Sequence, residues 1–126
     1  MVKSIKFLVT LLILSSLIFS CKKETFQNNE EIKNIVFDVS LQSGKLYTLE
    51  LNQYLNTNDI VLLSKQANSF QLSEIVSIEN NKTYKFIKST SPKINENKET
   101  VILRIYEPRN GIHCEKTDII INFTIL

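Results

Sequence analysis

The one histidine of this chain stands directly before a cysteine, and this pair is the first candidate for chemistry. The 126 residues contain a single histidine, His113, and two cysteines, Cys21 and Cys114. A metal site needs three or four ligands, and no second histidine is present. A cysteine nucleophile needs the histidine folded back onto its thiolate, whereas adjacent strand residues point to opposite faces. The sequence therefore predicts a turn histidine beside a half-buried, free and structural Cys114, with no catalytic residue here.

A calcium loop is the second candidate. Residues 56–59 read Asn-Thr-Asn-Asp, but the calcium-loop spacing then places Ile60 at a ligand position, and the glycine and the terminal glutamate are missing. The chain has two glycines, Gly44 and Gly111, which is too few for a phosphate-binding loop. The sequence predicts no metal and no cofactor.

Cys21 stands in a different setting, at the end of an N-terminal apolar segment. A short basic start precedes an apolar run over residues 7–19. This run is shorter than the about 20 residues that span a bilayer, and its layout is that of a secretory signal. Residues 17–21 read L-I-F-S-C, which resembles the lipobox of bacterial lipoproteins. The resemblance implies that Cys21 carries diacylglycerol, that the leader is removed before it, and that Lys22 favours the outer membrane. An uncleaved signal anchor and an ordinary signal peptide are the alternatives.

The charge balance after the leader limits the classes of partner. Residues 1–20 contain two lysines and no acid, so 13 basic and 13 acidic side chains remain in the rest of the chain. This neutral balance argues against nucleic-acid binding, which requires a clustered basic surface. Residues 22–31 are polar, as expected for a tether. The predicted organisation is a signal peptide at 1–20, a lipidated tether at 21–32 and one domain at 33–126.

The domain has the alternating pattern of β-strands. Apolar residues recur at every second position, and turn signals separate the runs at intervals of about ten residues. Seven strands are predicted, at residues 33–42, 45–51, 60–65, 70–78, 83–88, 101–107 and 117–126. The predicted inward-facing residues of the longer strands are Ile35, Phe37, Val39 and Leu41; Phe70, Leu72, Val76 and Ile78; Tyr84 and Phe86; Val101, Leu103 and Ile105; and Ile119, Ile121, Phe123 and Ile125.

This arrangement resembles small immunoglobulin-like domains of the PKD and cadherin-like kind. The matching parts are the early strand at residues 47–51, the Tyr-Lys-Phe triplet at 84–86 before a proline-bearing loop, and the hairpin at 100–126 with its alternating isoleucines. The resemblance implies an all-β, seven-stranded antiparallel sandwich. It implies no activity, because one fold serves many functions.

Two functions from different classes remain open. The first is a non-catalytic binding or structural module that is displayed on the membrane by its anchor and meets an envelope protein or a glycan. The alternative is a small envelope enzyme or enzyme inhibitor without a recognisable motif. If strand directions alternate, the longest loop, at residues 89–100, lies at the end of the sandwich farthest from the tether. We therefore expect the partner contact there, at Lys93, Asn95, Asn97 and Lys98, unless this loop is only a solvated spacer.

Overall fold

A computed structural model describes residues 32–90 and 97–126 of the chain. These residues form seven strands and one short 3-10 helix at Asn52–Tyr54. The strands are β1 (Lys33–Leu41), β2 (Leu46–Glu50), β3 (Ile60–Lys65), β4 (Leu72–Ile78), β5 (Asn81–Ile87), β6 (Lys98–Arg109) and β7 (Ile112–Ile125). The predicted signal peptide, Cys21, most of the tether, Lys93 and Asn95 lie outside the described residues. Within the described part, no helix has the length and apolarity needed to cross a bilayer.

The strands form two sheets, which confirms the prediction of an all-β, two-sheet fold. One sheet has the order β1-β7-β6-β3 and the other the order β2-β5-β4. The prediction that all strands are antiparallel is wrong for one pair, because β1 and β7 run parallel. Successive strands alternate in direction along the chain. The first and seventh strands therefore point the same way, and they can neighbour each other only as a parallel pair.

The core lies between the sheets and contains the residues that the alternating pattern selects. In β6 and β7 every predicted inward residue except Ile125 is at most 1% exposed, and Ile125 is partly buried. Phe123 is at the centre, stacked on Phe86 with ring centroids 4.2 Å apart and met edge-on by Tyr47 at 5.2 Å. The half-buried residues of β1 and Tyr84 of β5 also face this cluster. The predicted inward faces of β1, β5, β6 and β7 are confirmed.

Strand β4 is the exception, because its predicted inward face is wrong. The strand begins at Leu72, Phe70 before it is 41% exposed, and Ile78 is 65% exposed. The inward residues are Ser73, which is 8% exposed, and Ile75, which packs against the core. A buried serine is acceptable at this position because its hydroxyl group is hydrogen-bonded.

The last two strands extend further than the sequence pattern indicates. They form one long hairpin whose turn consists of Asn110 and Gly111 alone, with φ values of 49° and 79°. Positive φ at both positions is the geometry of the tight hairpin turn that an Asn-Gly pair favours. Pro108 belongs to β6, and the ladder shifts register beside Ile105.

Candidate functional site

Four chain segments meet at the end of the sandwich opposite to the start of β1, here called the distal end. They are residues 43–44, 66–69, 88–90 and 97–99, and the C-terminal Leu126 lies beside them. The amide of Gly44 donates to the carbonyl of Lys88 at 3.2 Å, and the amide of Ile125 donates to the carbonyl of Asn97 at 2.7 Å. These bonds place the two described ends of the longest predicted loop, residues 89–100, at the end of the sandwich opposite to the start of β1.

The predicted contact residues lie at this end where they are described. Asn97 and Lys98 are both exposed, so their side chains are accessible to a partner. Lys93 and Asn95 lie outside the described residues. The binding role of all four residues remains a prediction.

A buried ion pair lies beneath the distal loops. The ammonium of Lys88 is 2.5 Å from a carboxylate oxygen of Glu99, and the two side chains are 3% and 0% exposed. The same carboxylate accepts the backbone amides of Asn68, at 2.7 Å, and Ser69, at 3.2 Å. Glu99 thus joins the end of β5, the loop at residues 66–69 and the start of β6. Buried charges are tolerated only when they are paired and hydrogen-bonded. Glu99 therefore fixes the positions of these three segments relative to one another.

Sequence reasoning missed this pair, although the alternating pattern contains the signal. Lys88 continues the inward run of Tyr84 and Phe86 by one further step of two residues. Glu99 precedes the inward run that starts at Val101 by the same step. Two opposite charges that each extend an inward-facing run at the same end of a sandwich predict a buried salt bridge.

A second set of hydrogen-bonded polar side chains consists of Ser73, Tyr84 and Gln66. The hydroxyl oxygens of Ser73 and Tyr84 are 2.6 Å apart, and the Ser73 hydroxyl also lies 2.5 Å from the side-chain oxygen of Gln66. The side-chain amide of Gln66 donates to the Ser73 carbonyl at 3.2 Å. Burial raises the pKa of Tyr84 to about 12, so the phenol stays protonated over the physiological range. Among the described residues, no buried side-chain nitrogen or oxygen lacks a hydrogen-bond partner.

At the opposite end, here called the proximal end, Asp59 already has partners. Its carboxylate accepts the Lys116 ammonium and the Asn56 amide, both at 2.9 Å, and its side chain is 2% exposed. These bonds fix the loop that resembled a calcium loop. In residues 32–90 and 97–126, no three histidine, cysteine or acidic side chains are grouped to hold a metal ion.

The proximal end also has an open polar cleft of about 610 Å³, next to a smaller groove of about 330 Å³ on the outer face of the three-stranded sheet. Both are lined by Asn52 and Lys82. Asn52 donates to the Asn81 side chain at 2.5 Å and accepts the Lys82 amide at 2.9 Å. These polar groups therefore have partners within the chain, and they hold the two turns of this end together.

His113 and Cys114 point to opposite faces of β7, as predicted. The prediction that His113 lies in a turn is wrong, because the turn consists of Asn110 and Gly111 and β7 already begins at Ile112. His113 is exposed, whereas Cys114 is 3% exposed and so is more deeply buried than expected. Cys114 is disulfide-bonded. The prediction of a free thiol is therefore wrong. The other cysteine of the chain, Cys21, lies outside the described residues.

Comparisons with known proteins leave the family open. No protein-family model and no curated protein matches the chain. Among solved structures, the chain is similar to part of an endo-fucoidan hydrolase from glycoside hydrolase family 107, with a TM-score of 0.47 and 8% identity. The match covers 81% of this chain and 15% of that chain. At this TM-score the likeness carries no argument about the function of this protein.

Proposed function

We propose that this protein is a lipid-anchored envelope protein whose sandwich is a non-catalytic binding module. In this proposal Cys21 carries the lipid, the proximal end faces the membrane and the distal end meets a protein or glycan of the envelope. The outer membrane is the proposed location.

The anchor proposal is supported by the N-terminal sequence. Two or three acyl chains hold a protein at a bilayer without a spanning helix, since each buried CH₂ contributes about 0.8 kcal/mol. The disulfide bond of Cys114 agrees with export alone, because disulfides persist outside the reducing cytosol. The chain has two cysteines, so with a lipidated Cys21 the partner of Cys114 would be a thiol of another molecule. An alkylated sulfur cannot form a disulfide bond, so the chemical state of Cys21 is the direct test of this proposal.

We also propose immunoglobulin-like topology for the domain. The strand order supports it, since a four-stranded sheet that ends in the parallel pair of β1 and β7 packs on a three-stranded sheet. This topology gathers alternate loops at each end of the sandwich.

The buried pair of Lys88 and Glu99 is the observation that best supports a binding role for the distal end. A solvated spacer loop has no need for a fully buried salt bridge that also binds two backbone amides. Binding loops on rigid scaffolds do need such an anchor, because ordering a loop in advance lowers the entropic cost of binding.

Site-specific photo-crosslinkers test the proposal. We expect crosslinkers at Lys93 and Asn97 to capture a partner in cells, and crosslinkers at Asn56 and Arg109, at the proximal end, to capture none. The reverse pattern, or silence at all four positions, would contradict the proposal. The crosslinkers report only which end of the domain contacts a partner. Their result therefore does not depend on whether Cys21 is lipidated.

A further inference from the structure

The proximal cleft, which is the polar cleft of about 610 Å³ at the proximal end, is a concave site with fixed walls. One wall consists of residues 55–59 and the other of the turn at residues 79–80, with Lys82 beside it. The side chain of Asn52 holds the walls together through its hydrogen bonds to the Asn81 side chain and the Lys82 amide. Small-molecule sites typically have volumes of about 300 to 1,000 Å³. The proximal cleft therefore has the size and the rigidity to bind a small ligand.

The second wall of the proximal cleft has a strained backbone at Glu79. Glu79 and Asn80 form the two-residue turn between β4 and β5, and φ is 56° at Glu79 but not positive at Asn80. A two-residue turn with positive φ at its first position favours glycine there. The turn between β6 and β7 has Asn110 and Gly111, which adopt positive φ readily. Because strained residues cluster at ligand sites and active sites, a glutamate at this position indicates a function for its side chain.

Polar side chains on both walls are available to a ligand. Within the described residues, no hydrogen bond or ion pair is formed by the side chains of Asn58, Glu79, Asn80 and Lys82. Asp59, the other acid of the cleft, is already paired. The available charges are therefore one carboxylate and one ammonium, and their sum is zero.

These groups fit the hydroxyl groups of a neutral ligand better than they fit an ion. Side-chain amides both donate and accept hydrogen bonds, as hydroxyl groups do. A phosphate or carboxylate ligand only accepts hydrogen bonds, and the Glu79 carboxylate repels it. A metal ion needs several acceptor ligands, whereas the part of the chain that the structure describes has no group of three histidine, cysteine or acidic side chains placed to hold one.

We propose that the proximal cleft binds a neutral oligosaccharide. Its hydroxyl groups donate to the Glu79 carboxylate and exchange hydrogen bonds with the amides of Asn58 and Asn80, which lie on opposite walls. Lys82 donates to a further sugar oxygen. This small-ligand site lies at the other end of the sandwich from the contact surface of the proposed function, so either proposal can fail without the other.

Binding is tested with the full chain and short neutral oligosaccharides of glucose, mannose and N-acetylglucosamine. Saturation-transfer NMR measures which of them the protein binds, and oligogalacturonate is the acidic comparison. We expect at least one neutral oligosaccharide to bind, and the acidic one to bind at least about tenfold more weakly, because Glu79 repels its carboxylates. Binding of none of the neutral oligosaccharides, or tighter binding of oligogalacturonate, would overturn the inference.

Variants of the hairpin between β4 and β5 locate the site. Glu79→Gln should weaken binding of the neutral oligosaccharide about tenfold, because a hydrogen bond to a charged group is lost. Glu79→Gly should weaken it at least as much without lowering the urea midpoint, since glycine relieves the strain of the positive φ. The matched control is Glu74→Gln, at an exposed glutamate of β4 that does not line the cleft, and it should leave both measurements unchanged. Undiminished binding by Glu79→Gly, or an equal loss with Glu74→Gln, would overturn the proposed site.

Discussion

Removing one member of the buried pair of Lys88 and Glu99 should destabilise the domain far more than removing a surface charge. Deleting one partner of a buried pair costs about 3 to 5 kcal/mol, because the other charge is left without compensation. Lys88→Met leaves the Glu99 carboxylate with its two backbone donors, so we expect the lower part of this range. Glu99→Ala leaves a buried ammonium and two amides without an acceptor, so we expect the upper part.

Urea unfolding measures these costs. The chain has four tyrosines and no tryptophan, so tyrosine fluorescence and far-UV circular dichroism report the transition. The control is Glu115→Gln, which breaks a pair with Arg104 whose side chains are 39% and 27% exposed, and it should cost less than about 1 kcal/mol. The double variant Lys88→Met with Glu99→Gln should recover most of the loss, because neither buried charge remains.

Two results would refute this reasoning. A cost below about 1 kcal/mol for Lys88→Met would mean that the pair is solvated and does not fasten the distal loops. The single variant Glu99→Gln completes the cycle. A double variant whose cost equals the sum of the costs of Lys88→Met and Glu99→Gln would mean that the residues act independently, since coupled neighbours are not additive.

Three further predictions concern pH, the core and the hairpin turn. Because burial raises the pKa of Tyr84 from 10.0 to about 12, the stability that its protonated phenol contributes is complete below pH 10 and is lost as the pH rises through about 12. Tyr84→Phe should therefore flatten the plot of urea midpoint against pH between these two values. An unchanged plot would contradict the assignment. Ile121→Asp should unfold the domain, because Ile121 is 0% exposed, whereas Asn122→Asp on the opposite face should leave circular dichroism unchanged; equal melting temperatures would refute the register. Gly111→Ala should cost about 1 to 2 kcal/mol in urea unfolding, since φ is 79° but no atom lies within 4 Å of the added Cβ; a neutral result would contradict the strain argument.

Most of the sandwich is predictable from the sequence because apolar and polar residues alternate clearly along its strands. In β6 and β7 the inward residues repeat at every second position, and burial of one face fixes their register. The Asn-Gly turn between them is also readable from the sequence, since this pair favours the positive φ values that the turn requires.

Strand β4 shows where this reasoning fails. Apolar residues lie on both faces of this strand, so hydrophobicity alone predicts the wrong face to point toward the core. The inward position of Ser73 depends on Tyr84 and Gln66, which come from another strand and from a loop. A tertiary hydrogen bond of this kind has no local signal in the sequence.

The candidate site is predictable only in part. The grouping of loops at the distal end follows from the alternation of strand direction, which is a property of the chain order. Glu99, the residue that joins these loops, is read from sequence as part of a polar loop because it borders charged and polar neighbours. The disulfide state of Cys114 depends on a second thiol in space, which spacing along the chain does not reveal.

The central claim of this account is the lipid anchor, and mass spectrometry of the Cys21 peptide tests it most directly. The protein is taken from the membrane fraction, digested and measured with and without a thiol reductant. The account predicts an N-terminal peptide that starts at Cys21 and carries a thioether-linked diacylglycerol, with a mass that reduction leaves unchanged. A Cys21 peptide without lipid, joined to the Cys114 peptide and released from it by the reductant, would contradict the account.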